Sequence, residues 1–361
     1  MARAEEITMK FRVLTLGFAC VAVVGVASAC SSSSSTSASS SSSTGVSSGN
    51  SQVAQAKSEG TVVWYTGSNP PSVAAATKAF TAKYGIKVDP IVLTSNETSQ
   101  RMQSDFASGK IVADVVSGVL PQFFTAQLQA GHLVPLTAAA EPSIKAIPAK
   151  YMDGTAAATL GLGTAVLGYN TDSVKTPPAN WQQYLNPEWK GKILLTDPRG
   201  SPFWAQFWYV VMTDPSLGPS YMQKIATQDL KVVSDSATGA QILTSGGGGF
   251  ELGTSVGNIA PLTAQGAPVK TTPISNPTTA YQQFIGVISK SPHPAAAQLF
   301  VNWLLSSEGQ SVYNGAANQF SAVPGVPGLG ALPAGVVIPD PTKVTAATPQ
   351  IVKLLGLSAA S

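Results

Sequence analysis

Apolar and polar positions follow two periods along most of the chain. Thr61-Val62-Val63-Trp64-Tyr65 is a short apolar run that predicts a buried strand, and Thr66-Gly67-Ser68-Asn69-Pro70-Pro71 predicts a turn after it. Val73, Thr77, Phe80 and Tyr84 then recur at helical spacing, and Gly85 ends that pattern. Ile86 to Val92 reads as a second strand, residues 97–108 as a polar helix, Ala113 to Val116 as a third strand, and residues 121–130 as a helix stopped by Gly131. Strands alternating with helices predict a parallel α/β sheet.

The middle of the chain repeats this logic. Thr164 to Tyr169 is expected to be a strand crossing to a second lobe, with a short helix at Trp181 to Tyr184. Lys192 to Thr196 reads as a strand, Phe203 to Met212 as an apolar helix, Thr238 to Thr244 as a helix edge and Phe250 to Gly253 as a short strand. Ile285 to Ile288 is expected to return to the first lobe, followed by a helix from Pro294 to Ser306. On that helix Ala297, Phe300, Val301, Leu304 and Leu305 share one face. These boundaries give lobe 1 as 59–164 plus 275–324 and lobe 2 as 165–274. The Pro/Gly-rich segment 325–361 either packs on the lobes or is partly disordered.

The first thirty residues are a separate object. Met9-Lys10-Phe11-Arg12 is basic, and Val13 to Ala29 is apolar with small residues at its end, which is the signal-peptide pattern. Glu5 and Glu6 suit such a start badly, so translation from Met9 stands beside Met1. Ala27-Ser28-Ala29-Cys30 resembles a bacterial lipobox, implying cleavage before Cys30 and a diacylglyceryl chain on its sulfur. A plain signal peptide cut after Ala29 fits the same residues. Residues 30–58, almost all Ser, Thr, Ala, Gly and Asn at first, are expected to be a flexible tether, with folded structure starting near Gly60. Cys20 would be removed with the signal, leaving no cysteine pair for a disulfide. Beyond the signal there is no apolar stretch of the roughly 18 residues a spanning helix needs.

Charge narrows the function classes. Of 361 residues 11% are charged, the formal net charge is +3, and no Lys/Arg cluster stands out, so nucleic acid is not an expected partner. There is no H-E-x-x-H, the two histidines are far apart, and Gly161-Leu162-Gly163 lacks dinucleotide-loop spacing. No metal and no cofactor are expected. Gly253-Thr254-Ser255-Val256-Gly257 fits the nucleophile pattern G-x-S-x-G, but no Asp or Glu lies between Ser255 and His293, so the hydrolase order is broken. A serine hydrolase using Ser255 and a lipid-anchored surface adhesin stay as remote alternatives.

The elements, in their order, resemble the periplasmic-binding-protein type II fold, and most of all the bacterial extracellular solute-binding proteins of the ferric-iron, aminoethylphosphonate and thiamine group. Gly60 to Thr66, Phe80 to Val88 and Gly131-His132-Leu133-Val134-Pro135-Leu136 carry part of the resemblance. Gly168-Tyr169-Asn170-Thr171-Asp172, Pro187 to Ile193, Asp197-Pro198-Arg199 and the run Ala296 to Gln310 carry the rest. The resemblance implies two hinged lobes closing on one small ligand and delivery to an ABC permease with its ATPase; with the Cys30 lipid anchor, the chain is expected as a monomer on the outer face of the cell membrane. It also implies that iron binders place a tyrosine pair after a second-lobe Gly-Glu segment. The corresponding residues Phe250 to Asn258 contain no tyrosine, and Thr66 to Asn69 contain no histidine, so ferric iron, like thiamine or polyamine, is kept as an alternative only.

In open α/β sheets ligands bind outside the carboxyl ends of strands. By position this singles out Thr66, Gly67, Ser68, Asn69, Ser117, Gly118, Thr254, Ser255 and Asn258, although Ser, Asn and Gly are also ordinary turn residues. Arg199, Gly200 and Ser201 form the third group. Ser201 can cap a helix that starts at Pro202, and a helix start beside a guanidinium attracts anions. Arg199 has two readings, a contact to a phosphonate, phosphate or carboxylate, or a salt bridge to Asp197. Trp64, Trp204 and Trp208 are expected in the core, while Tyr65 or Phe203 could line the cleft.

Overall fold

The computed structural model describes residues 47–118 and 121–357; the expected signal segment and Cys30 lie outside the described residues. The chain enters with α1 (Ser47–Glu59), then β1 (Thr61–Thr66), α2 (Pro70–Tyr84), β2 (Lys87–Val92), α3 (Ser95–Ser108) and β3 (Val115–Ser117). Asn69 and Pro70 start α2, and Gly85 ends it with φ 72°, a left-handed cap that glycine adopts without strain. Thr94 and Glu97 form a capping box at the start of α3. Next come α4 (Pro121–Gln129), β4 (Leu133–Val134), β5 (Met152–Asp153) and β6 (Ala157–Thr164).

A second set follows: β7 (Val166–Asn170), β8 (Ile193–Thr196), α5 (Pro202–Thr213), α6 (Gly218–Ala226), β9 (Lys231–Val233), α7 (Ser236–Thr244), β10 (Phe250–Thr254), α8 (Val256–Ala264) and β11 (Val269–Pro273). The chain then returns through β12 (Thr278–Ile288), α9 (Pro294–Leu304), α10 (Ser307–Gly315), β13 (Val336–Val337) and α11 (Pro341–Leu354).

Two sheets result. One runs β2-β1-β3-β12-β6-β5, with β4 and β13 also paired to β12; the other runs β11-β7-β10-β8-β9. Parallel pairs β1–β2, β1–β3, β8–β10 and β8–β9 build the leading half of each sheet. Antiparallel pairs appear where crossing strands enter, β12 beside β3 and β6, and β7 beside β10 and β11. The predicted single strand Thr164 to Tyr169 is in fact two strands in different sheets, separated only by Ala165.

Each sheet has its own core. Trp64, Phe80, Phe300 and Trp303 anchor the first, and Trp181, Phe207, Trp208 and Phe250 the second. Trp64, Trp204 and Trp208 are all buried. Burying such rings contributes roughly 1.5–3 kcal/mol each, enough to override the modest propensities of the flanking loops.

The N-terminal side departs from expectation, and the C-terminal segment takes the packed one of its two expected forms. The tether expected to run to residue 58 is helical from Ser47. Ala56 is fully buried in the first core, and the Glu59 carboxylate accepts hydrogen bonds from the Ala295 and Ala296 amides at the start of α9, at 3.3 and 2.8 Å. Thus α1 supplies the cap that α9 lacks from its own N-cap residue, His293. At the other end, α11 buries Ile351 and Leu355 in the second core. The expected helix Pro294 to Ser306 is α9, ending at Leu304; a further helix, α10, follows, capped by Ser306 through the Gly309 amide at 3.2 Å. The short helix at Trp181 to Tyr184 is a 3-10 turn over Gln183–Leu185. Among the described residues no helix is long and apolar enough to cross a membrane.

Candidate functional site

The carboxyl ends of β1 and β3 form the floor of a cleft. There Ser117 is a buried hub: its Oγ accepts from Trp64 Nε1 at 2.9 Å and lies 2.9 Å from Thr66 Oγ1 and 3.3 Å from Ser68 Oγ. The Ser68 amide donates to Thr66 Oγ1 at 3.1 Å. These three hydroxyl residues, expected to face a ligand, are buried and satisfy one another beneath the surface. They brace the loops rather than line the cleft. Gly67 and Gly118 bring the two loops together. Gly118 has φ +79°, and a Cβ there would stand 2.7 Å from Gly67 Cα, so no side chain fits.

The second lobe presents helix starts. Asp235 caps α7 by accepting from the Thr238 amide at 2.8 Å. Ser255 occupies the N-cap position of α8 but its side chain makes no capping bond, and the same holds for Ser201 at α5, where a serine cap was expected. Pro202 takes its predicted place in the first turn of α5. Asn258 is turned inward, donating to Ser236 Oγ at 2.7 Å, and Thr254 is fully buried.

Of the residues predicted from sequence, Gly67, Asn69, Gly118 and Ser255 line one cavity of about 270 Å³ between the lobes. Phe203, Trp204, Ser236 and the run Tyr281-Gln282-Gln283 of β12 complete it. Tyr65, expected as a possible lining ring, is buried with its hydroxyl donating to Asp105 Oδ2 at 2.8 Å; burial and that carboxylate push its phenol up to about 12. Asn69 crosses the cleft: its Oδ1 lies 3.0 Å from the point a Cβ on Gly257 would occupy. Tyr281 fits because Gly163, its register partner, leaves room; a Cβ at 163 would stand 2.2 Å from Tyr281 Cζ. Burial raises the Tyr281 phenol, offset in part by the Gln319 and Asn69 side chains. Sequence reasoning missed this run and Ser236. The signal for the first was present, a Tyr-Gln-Gln run directly before the apolar second half of strand β12.

Arg199 lines a second cavity of about 450 Å³, which shares Phe203, Tyr281 and Gln282 with the first. Its Nε donates to Asp197 Oδ1 and Oδ2 at 3.0 Å each, and Nη2 donates to Oδ2 at 2.7 Å. The salt-bridge reading of Arg199 is therefore the geometry seen. Burial opposes ionisation of Asp197, but the Arg199 hydrogen bonds outweigh it and hold the carboxyl below its usual range. Gly200 and Ser201 line neither cavity.

Neither histidine meets Ser255. His293 Nδ1 lies 3.0 Å from the buried Asp114 Oδ2 at the start of α9, and His132 stacks on Phe106 at 3.8 Å. Among the described residues, no group of three or more His, Cys, Asp or Glu is placed to hold a metal ion.

The sequence matches the family described as bacterial extracellular solute-binding protein over residues 75–333. No curated protein matches it. Solved structures share the fold at low identity. The periplasmic binding protein AfuA from Actinobacillus pleuropneumoniae, with fructose-6-phosphate bound, is 20% identical with a TM-score of 0.63, over 82% of this chain and 99% of that one. Iron-bound HitA from Pseudomonas aeruginosa is 18% identical with a TM-score of 0.62, over 82% and 99%. The substrate-binding protein of an ABC transporter from Agrobacterium tumefaciens is 18% identical with a TM-score of 0.66, over 82% and 96%. The fold is that of the two-lobe periplasmic binding proteins, and with the family match spanning well over half of the sequence, the chain belongs to the bacterial extracellular solute-binding proteins.

Proposed function

We propose that this chain is the lipid-anchored substrate-binding component of an ABC importer, held at the outer face of the cell membrane through Cys30. It captures a small anionic or zwitterionic solute of phosphonate, phosphate-ester or carboxylate type by lobe closure and passes it to the permease. The chain itself performs no catalysis.

One observation carries the anion. The start of α8 opens on the inter-lobe cavity with no side-chain cap, so its backbone N–H groups and dipole favour negative charge there. The start of α7 adds to this less, since Asp235 already occupies its first-turn amides. The oxygen of Asn69, an uncharged acceptor from the opposite lobe, sits at the α8 start. A ligand anion would take over that role and bridge both lobes, which stabilises the closed state because affinity then differs between open and closed forms.

Ferric iron is less well served, because Tyr281 is the one phenol among the cavity's described lining residues and burial holds it protonated. A thermal-shift screen over phosphonates, phosphate esters, carboxylates, thiamine, polyamines and ferric citrate separates these. Stabilisation by the anions without turnover is the expected result. A shift with ferric citrate alone would replace this reading.

A further inference from the structure

The larger cavity, beside the cleft, has a chemistry of its own. Its volume of about 450 Å³ falls in the range of roughly 300–1,000 Å³ typical of small-molecule sites. One wall comes from the C-terminal segment, Ile338 to Pro349, and the opposite wall from α5 and β12. Most donor groups on these walls are engaged elsewhere. Thr345 and Thr348 donate their hydroxyls to carbonyls of their own helix, those of Pro341 and Val344, both at 3.0 Å. Gln206 Nε2 donates to Thr279 Oγ1 at 2.6 Å and to the Ala280 carbonyl at 2.9 Å, and Gln282 Nε2 donates to Thr159 Oγ1 at 3.1 Å. The Arg199 fork is on Asp197. What these residues leave to an occupant is mainly apolar, threonine methyls, Val344, Ile338, Pro339 and the edges of Phe203 and Phe284, with Gln122 and the amide oxygens of Gln206 and Gln282 as the polar remainder.

From this we infer that the side chamber receives the apolar substituent of the transported solute, whose anionic group lies in the cleft cavity. The substrate class is then an anion with an alkyl or aryl tail, not a bare oxyanion or a sugar phosphate. This rests on the anion reading of the cleft. Phe203, Tyr281 and Gln282 form the shared partition, so head and tail occupy adjoining spaces. A polyhydroxylated solute would bury more hydroxyls than the few remaining polar groups can pair, which costs unmade hydrogen bonds. A methylene chain loses nothing and gains area burial.

The test is calorimetric titration of the full mature chain with two homologous series, n-alkylphosphonates and n-alkanoates from one to eight carbons. Each buried methylene should tighten binding about fourfold until the chamber is filled. In Thr345→Trp and Thr348→Trp the ratio of hexyl to methyl affinity should collapse toward one, with thermal melts reporting that the fold persists. If short and long anions bind equally, or if the gradient survives both tryptophans, the chamber proposal is wrong while the cleft reading stands. If no member of either series binds, the cleft reading fails and takes this inference with it.

Discussion

Asn69, at the start of α2 in the first lobe, meets Gly257, in the first turn of α8 in the second, across the cleft. A Cβ on Gly257 would press on Asn69 Oδ1 at 3.0 Å, so a side chain at 257 would force Asn69 or the lobes to give way by a few tenths of an ångström. Gly257→Ala should hold the lobes slightly apart and shift the equilibrium toward the open form. We expect anion affinity to fall several-fold, with a larger radius of gyration by small-angle scattering for the ligand-loaded variant. Unchanged affinity would mean the contact does not limit closure.

The pairing of Arg199 with Asp197 changes what its removal should do. A partly exposed pair whose charges cancel contributes little to the field at a neighbouring cavity. Arg199→Ala is expected to weaken methylphosphonate binding by no more than about threefold. A loss beyond tenfold in calorimetry would show that the guanidinium leaves Asp197 to hold the ligand.

Glu251 sits in the interior of the second lobe. Burial raises its carboxyl to about 8, and the Thr196 hydroxyl, donating to Oε1 at 3.3 Å, offsets this only in part. The folded chain then holds a proton that the unfolded chain releases near the ordinary carboxylate range of about 4.3. Between those values the native state binds more protons, so stability falls as pH rises from about 4.3 and levels off above about 8. Denaturant melts from pH 5 to 9 should show this slope in the natural chain. Glu251→Gln should flatten it and be the more stable protein at pH 9.

Ser117 separates a bracing role from a binding one. Ser117→Ala leaves the buried Trp64 N–H without its acceptor, which costs about 1–3 kcal/mol. The melting temperature should drop by several degrees with little change in ligand affinity per folded molecule. Affinity loss without destabilisation would return Ser117 to the ligand site.

The first-lobe elements were legible because their signals are local. Gly67 to Pro71 and Gly85 punctuate β1 and α2 whatever they pack against, and Gly67, Asn69 and Gly118 follow from the rule that loops at strand ends face the ligand. Thr66, Ser68 and Ser117 obey the same rule but turn away, because a hydroxyl's direction depends on its neighbours across β1 and β3. Helix α1 carries little amphipathic pattern of its own and is held by docking through Ala56 and Glu59, whereas α11, docked through Ile351 and Leu355, is amphipathic but was hidden by the Pro/Gly-rich composition around it and by Pro349 within it. Tyr281 reached the cavity through its register with Gly163, a pairing across more than a hundred residues that no local window contains.

The waist of the molecule is crossed three times: at Ala165 between β6 and β7, between β11 and β12, and between β13 and α11. Two neighbouring cords would let the halves swivel as well as bend. The third, fixed by β13 on β12 and by Ile351 in the far core, resists torsion. A third tie of this kind favours a jaw-like rotation over a swivel, so a solute captured by the proposed closure would meet the same opposing surfaces in the same alignment each time.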